Sequence, residues 1–438
     1  MTARPAIPAI AAAPLAARIG KQWDADIVPQ LVEYVRIPAK SPHFDPDWAK
    51  NGHIEAAIRQ AERWVAAQGV GGITLEIVRL ADRTPVLFFD IPATGGLAGE
   101  RTVLFYGHLD KQPEMTGWRP GLGPWIPVYE DGKLYGRGGA DDGYAVFAAI
   151  SAVMALDAEG VARPRCVGLI ETCEESGSYD LPAYLEALAP RMGDVQLVVA
   201  LDSGAGNYEQ LWVTTSLRGL VNGTLEVKVL EEGVHSGDAG GVVPSSFRLA
   251  RRILDRIDDS RTGVVKPAAF NCEIPADRIE QAKQAAAILG DAAWQRFPWA
   301  SCCDDQGSAS IFAEPVTKDP VEVVLNRTWR AALAVTGADG LPPTGSAGNV
   351  QRAFTTLKLS LRVPPLVDGP TAGAIFKETL EADPPNRASV RFDCDSAATG
   401  WNAPPVAPWL SAALDAASEA NFGKPAAYMG EGGTIPFM

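Results

Sequence analysis

Apolar residues return along this chain in two different rhythms. From Ala56 to Gln68, Ala, Ile and Trp recur at helical spacing, which predicts an amphipathic surface helix, and Thr74 to Leu80 then reads as a strand. Three short apolar runs follow, from Thr102 to Tyr106, Arg165 to Ile170 and Val195 to Leu201, each separated from the next by helical sequence. Buried strands alternating with helices predict a largely parallel sheet covered by helices. After Leu211 the rhythm changes. Gly223 to Val229 alternates like a half-exposed strand, Phe247 to Ile257 has the spacing of an amphipathic helix, and Thr355 to Arg362 alternates again. This predicts a second, smaller α+β domain. Pro408 to Phe422 is helical once more, with Pro408 suited to the first helical position and Gly423 to the stop, and Glu431-Gly-Gly433 is a turn. The expected fold class is α/β: a catalytic domain with a mostly parallel central sheet and flanking helices, formed by residues 1–212 and 401–438, interrupted by an α+β domain over 213–400.

At 438 residues the chain is too long for one core, in keeping with two domains. It contains no uninterrupted apolar run of the ~20 residues a membrane span needs, so no membrane partner is expected. The 39 Lys and Arg against 53 Asp and Glu leave a formal charge of -14, which repels phosphate backbones and argues against nucleic acid. The cysteines (Cys166, Cys173, Cys272, Cys302, Cys303, Cys394) form no C-x-x-C pair and no dense framework, and read as reduced thiols of a cytoplasmic protein. The adjacent Cys302 and Cys303 have no nearby His or second pair and are read as incidental. The Ala-rich stretch from Ile7 to Ala17 is interrupted by Pro8 and Pro14 and is followed by no cleavage site, so no secretory signal is expected.

The acidic residues become informative through their placement. Each apolar run ends in polar residues: His108 and Asp110 after the first, Glu174 and Glu175 after the second, Asp202 after the third. Ligands collect beyond the carboxyl ends of strands in open α/β sheets, so these groups are placed to converge. Asp110 stands two positions from His108, where it can orient the imidazole. The segment from Leu134 to Gly143 surrounds Asp141 and Asp142 with glycines ahead of a helix. An Asp N-cap for a helix starting near Tyr144 accounts for one of these carboxylates but not for both. Glu174 and Glu175 are adjacent like charges at a strand-to-turn boundary, unfavourable unless a cation offsets them, although solvated Glu pairs are common. A lone His at a strand end is more often a plain surface or core residue. Taken together, these positions supply the mixed nitrogen and oxygen donors that suit zinc, manganese or cobalt. Two such ions sharing a carboxylate lower the pKa of bound water from about 15.7 to about 7, and a free carboxylate beside them can serve as the base.

These residues resemble the motif blocks of a known family. Gly107-His-Leu-Asp110, Leu134-Tyr-Gly-Arg-Gly138 with Asp141-Asp142-Gly143, Glu174-Glu-Ser-Gly-Ser178, Asp202, His235-Ser-Gly237 and Glu431-Gly-Gly-Thr434 are similar to the di-metal exopeptidases. That family includes carnosinase, cytosolic nonspecific dipeptidase, carboxypeptidase G, aminoacylase and succinyl-diaminopimelate desuccinylase. The resemblance runs from about Val28 to the last residue and is strongest to the dipeptidase branch. It implies two divalent metal ions, zinc by preference, with His108 and Asp202 on one, Glu175 on the other, and Asp141 as the bridge. Glu174 would be the general base and later the proton donor to the leaving amine, and Asp110 would brace His108. His235, in a lid and dimerisation domain, would reach the partner subunit's site of a homodimer to stabilise the oxyanion. A His capping a glycine turn is the plainer reading of that position. Asn349 matches a residue that contacts substrate across the dimer, Arg362 one that binds the substrate's terminal carboxylate, and Glu431 and Thr434 line the pocket.

Three departures from the family pattern stand out. Gly143 replaces the usual Lys after the Asp pair, Asp395 and Ser396 stand where the dipeptidase branch has a substrate-binding His before Trp401, and the family's final His ligand would fall beyond Met438. His43 and His53 match no ligand block. The resemblance therefore implies a chain that ends short of that ligand and holds its second ion weakly. The expected function is a metallopeptidase that cleaves the amide bond of a dipeptide or similar small substrate with a free carboxylate. An N-acyl amino acid amidohydrolase on the same scaffold is the alternative. A non-catalytic binding protein is disfavoured, since it needs neither Glu174 nor Asp141.

Overall fold

A computed structural model of the protein describes residues 11–97, 101–302 and 311–434. The chain divides into two units, the first ending at Ser203 and the second starting at Gly204.

In the first unit, helices α1 (Ala12–Gln22), α2 (Val28–Arg36) and α3 (His53–Ala67) precede strands β1 (Thr74–Val78), β2 (Val86–Ile91) and β3 (Thr102–His108). Helix α4 (Ala145–Ala158), strand β4 (Arg165–Glu171), helix α5 (Leu181–Met192) and strand β5 (Val195–Ala200) follow. The spatial order is β1-β2-β4-β3-β5. The parallel part consists of β4, β3 and β5, and β2 and β1 extend it in antiparallel fashion. Every residue of β4 after Arg165 is buried, as a strand covered on both faces requires. Leu87, Phe89, Ile91, Cys166 and Ile170 face α2, α3 and α4, whereas Val86, Phe88, Val167 and Leu169 face α5. Each Val, Leu, Ile and Phe among them contributes about 1.5–3 kcal/mol by leaving water.

Helix α4 is the hydrophobic centre of this layer. Gly139–Ala158 is, by length and hydropathy alone, the one described stretch that could cross a membrane. Val146, Phe147, Ile150 and Val153 pack instead into the core, with Phe147 edge-on to Trp64 at 4.7 Å, which makes α4 a core helix. The Asp cap expected for this helix does not occur, because α4 starts after Tyr144 with no side-chain cap and both aspartates lie in the preceding loop. The Ala-rich N-terminal stretch is helical from Ala12, and its residues before 11 lie outside the described residues.

The second unit contains β6 (Trp212–Leu217), β7 (Gly219–Lys228), β8 (Val234–His235), α6 (Ser246–Leu254), α7 (Pro320–Thr328), β9 (Ala332–Asp339), β10 (Val350–Gln351) and β11 (Phe354–Val363). It continues with α8 (Gly369–Glu381), β12 (Ser389–Ala398), β13 (Trp401–Asn402), α9 (Pro408–Phe422) and β14 (Ala427–Glu431). Its main sheet is antiparallel, in the order β9-β11-β7-β12. β7 and β11 alternate residue by residue between buried and half-exposed, and Val221, Leu225, Leu357, Leu359 and Leu361 form a core with Leu249 and Ile253 of α6 and Phe376 of α8. Ser245 caps α6 by accepting from Arg248 N. Trp401–Asn402 and Ala427–Glu431 join Trp212–Leu217 in a separate three-stranded sheet of this unit, β13-β6-β14, in which β14 runs parallel to β6. Helix α9 starts at Pro408 and stops at Gly423 with φ 73°, as the sequence pattern predicts. Cys166, Cys173, Cys272 and Cys394 are free thiols, while Cys303 and the side chain of Cys302 lie outside the described residues.

Candidate metal centre

The parallel strands β3, β4 and β5 deliver their carboxyl ends to one edge of the first unit. β3 ends at His108, paired in register with Glu171 at the end of β4, and Asp202 follows β5 by two residues. Tyr144, at the start of α4, donates to Leu201 O at 2.7 Å and so ties the last of these ends to the loop that carries Asp141.

At this edge His108 is fully buried, and its two nitrogens face different groups. Nδ1 lies 3.1 Å from the backbone oxygen of Asp110 and 3.5 Å from its carboxylate. A carbonyl oxygen only accepts, so Nδ1 carries a proton, and Nε2 is the nitrogen that faces the carboxylates. Nε2 lies 3.2 Å from Asp141 Oδ1, 3.5 Å from Asp202 Oδ2 and 3.9 Å from Glu174 Oε2. One ligand atom each of His108, Asp141 and Asp202 lies within 4.8 Å of the others.

An imidazole nitrogen among carboxylate oxygens needs a proton or a metal cation between it and them. The titration behaviour of the cluster expresses the same conflict. Burial pulls the His108 imidazole down, but its contacts with Asp110, Asp141 and Asp202 outweigh it and raise the pKa well above the usual value. Burial pushes Glu174 up to about 8, with Asp110, Asp202 and Glu175 adding to the shift against the pull of His108. Burial and Asp141 push Glu175 up to about 7. Asp142 is driven up to about 8, chiefly by burial, and its Oδ1 is a buried acceptor with no partner among the described residues. This surplus of negative oxygen around one imidazole fits divalent cations of the zinc, manganese or cobalt type.

Asp110 joins the pieces. It is buried, with Oδ1 accepting from Glu174 N at 3.1 Å and Oδ2 from Glu175 N at 2.9 Å. One carboxylate thus faces the His108 ring and also satisfies the amides that open the Glu174–Ser176 turn. Glu175 lies outside the His108, Asp141 and Asp202 group and accepts from Gln112 Nε2.

Sequence reasoning passed over Gln112, and also Ser41, whose Oγ lies 2.6 Å from Ser176 Oγ, and Lys111, fully buried one residue after Asp110. Burial pushes the Lys111 ammonium down to about 7. The repeated polar positions just after β3 were the available signal for Lys111 and Gln112. For Ser41 there was none, because its partner is 135 residues away.

The remaining candidates lie in the second unit. His235 and Asn349 are neighbours: β8 pairs with β10, and Ser236 N donates to Asn349 O at 2.9 Å. His235 is exposed and caps the following turn, its Nδ1 accepting from Gly237 N at 3.1 Å. Arg362, on the half-exposed face of β11, donates to Thr434 Oγ1 at 3.2 Å and has no carboxylate partner among the described residues. Glu431 is half-buried and pairs with Arg327 at 3.3 Å. Asp395 pairs with Lys358.

Residues 104–438 match peptidase family M20/M25/M40. The chain belongs to this family. Beta-Ala-His dipeptidase of Homo sapiens is 32% identical over 40% of the chain and 35% of its own length. The Rattus norvegicus protein of the same name is 28% identical over 64% of the chain and 55% of its own length. The matched region therefore spans between about a third and just over half of these curated M20 relatives. Cysteinylglycine-S-conjugate dipeptidase of Corynebacterium striatum is 25% identical over 90% of the chain and 81% of its length. In fold, the chain resembles the di-peptidase Dug1p of Saccharomyces cerevisiae, with a TM-score of 0.73 and 20% identity over 98% of the chain and 88% of Dug1p. Human carnosine dipeptidase 1 gives a TM-score of 0.73 and 21% identity, over 98% and 89%.

Proposed function

We propose that this M20 protein is a metal-dependent dipeptidase acting on small substrates with a free C-terminal carboxylate. The observation that carries the reading is His108 Nε2 facing the carboxylate oxygens of Asp141, Asp202 and Glu174. His108 and Asp202 would hold one divalent ion and Glu175 the other, with Asp141 shared between them. Bound there, the ions would polarise the scissile carbonyl and lower the pKa of a bound water from about 15.7 toward about 7.

The chain's own residues do the rest. Glu174, its amide fixed by Asp110, takes the proton from the attacking water and returns it to the leaving nitrogen. Asp110 keeps the proton of His108 on Nδ1, so that Nε2 stays available. The Arg362 guanidinium is suited to hold the substrate carboxylate through two parallel hydrogen bonds, and Glu431, Thr434 and, across a dimer, Asn349 are the further substrate contacts of this reading. His235 accepts at Nδ1, which leaves its Nε2 proton as the donor for a developing oxyanion. This donor would act on the partner's site in a homodimer built by the 213–400 region.

A metal analysis of Glu174→Gln, combined with turnover of dipeptides and N-acyl amino acids, tests the proposal. The variant is expected to keep wild-type metal content and to lose turnover by about 10²–10⁴-fold, because an amide cannot accept the proton. Unchanged turnover excludes Glu174 as the base. Turnover of N-acyl amino acids alone in the wild-type protein would assign deacylation instead.

A further inference from the structure

Lys111 is fully buried, and no carboxylate pairs with it among the described residues. An apolar side chain of the same length would fill this space without the desolvation of an ammonium, but it would leave the carbonyls that Lys111 meets without their donor. Nζ donates to Tyr34 O at 2.7 Å and to Ile37 O at 2.8 Å, and stands 3.8 Å from the centre of the Tyr34 ring. These carbonyls end helix α2, where unpaired carbonyls and the helix dipole attract a cation. The same segment is fastened twice more to the chain after β3: Tyr34 Oη donates to Leu109 O at 3.0 Å, and Ser41 N donates to Lys111 O at 3.0 Å.

The loop that carries Asp141 is moulded against this pair. A Cβ at Gly138, where φ is 81°, would meet the Lys111 side-chain carbons at 2.6 to 2.8 Å, and a Cβ at Gly143 would meet the Tyr34 ring at 2.2 Å. Gly143 also donates to Gly138 O at 2.9 Å, which closes the loop on itself. The absence of a side chain at 143 therefore has a steric cause in Tyr34, and Tyr34 is held in place by Lys111.

We propose that Lys111 is a positioning residue of the metal centre: its ammonium locks the end of α2 to the turn that bears His108 and Asp110, and with Tyr34 it forms the surface on which the Gly138–Gly143 loop sets Asp141. The inference rests on the proposed roles of His108 and Asp141.

The test uses the full chain carrying Lys111→Met, loaded with Co(II). The readouts are the visible Co(II) absorption bands, Co(II) affinity, thermal unfolding without metal, and kcat and KM for a dipeptide. The expected result is a folded protein with displaced Co(II) bands, an affinity about 10–100-fold weaker and a comparable fall in kcat at little-changed KM. Val153→Ala, a cavity in the α4 core, should lower the unfolding temperature and leave the Co(II) bands in place, which separates positioning from stability. Wild-type bands, affinity and kcat in folded Lys111→Met overturn the proposal. Should that variant not fold, Lys111→Gln decides, since it keeps a polar donor and removes the ammonium; displaced bands uphold the proposal and wild-type bands overturn it. A wild-type chain that binds no Co(II) defeats the dipeptidase reading itself, and this inference with it.

Discussion

At Asp110 a single carboxylate receives the Glu174 and Glu175 amides while facing the proton of His108. Asp110→Asn keeps the shape but turns one oxygen into a donor, which then opposes either a backbone N–H or the imidazole N–H. The expected result is a folded protein whose Zn(II) affinity falls about 10–100-fold, checked by calorimetric titration; wild-type affinity would show that His108 keeps its orientation without Asp110. The grouping of His108, Asp141 and Asp202 was legible in the sequence because His108 and Asp202 stand at strand ends and Asp141 in a glycine-flanked loop before a helix. The capping role of Asp110 was not, because it depends on backbone amides 64 and 65 residues away. Lys111 was silent for a related reason: a lysine in sequence looks like solvated charge, and only the packing of α2 over it shows a buried ammonium.

Among the elements, those with strong periodicity were the most readable. β7 and β11 alternate as their sequences predict, since one face packs on helices and the other does not. The helix expected from Phe247 to Ile257 ends at Leu254, where the chain turns off after the arginines. The small β13-β6-β14 sheet was not readable, because Trp212–Leu217 mixes apolar and hydroxyl residues without a clear period and its partners lie near the end of the chain. Leu359, fully buried at the centre of β11, tests the core of the second unit. Leu359→Ala should cost about 2–5 kcal/mol in denaturant unfolding. The metal ligands proposed here all belong to the first unit, so Zn(II) affinity should remain at the wild-type value. A loss of affinity in the folded variant would mean that the second unit helps to hold the metals.

For the whole molecule, the question is whether one chain makes a complete site. The main sheet of the second unit ends in β9, an edge strand whose Ala332, Ala334, Val335 and Ala338 are exposed. An apolar edge with unpaired backbone groups is a template for pairing, and a second copy of the chain is the partner proposed for it. His235 and Asn349 lie together in the same unit, exposed and joined by a short ladder, in a position to serve a neighbour. If they do, two inactive chains should rescue one another. Glu174→Gln lacks the base and His235→Ala lacks the oxyanion donor, so each homodimer is inactive. A mixed dimer has one intact site, combining the first unit of the His235→Ala chain with the His235 of the Glu174→Gln chain. Random re-association at equal amounts makes half the dimers mixed and restores about a quarter of the wild-type sites, measured as dipeptide turnover after co-refolding. Mixed dimers that form but stay inactive would place the action of His235 within its own subunit.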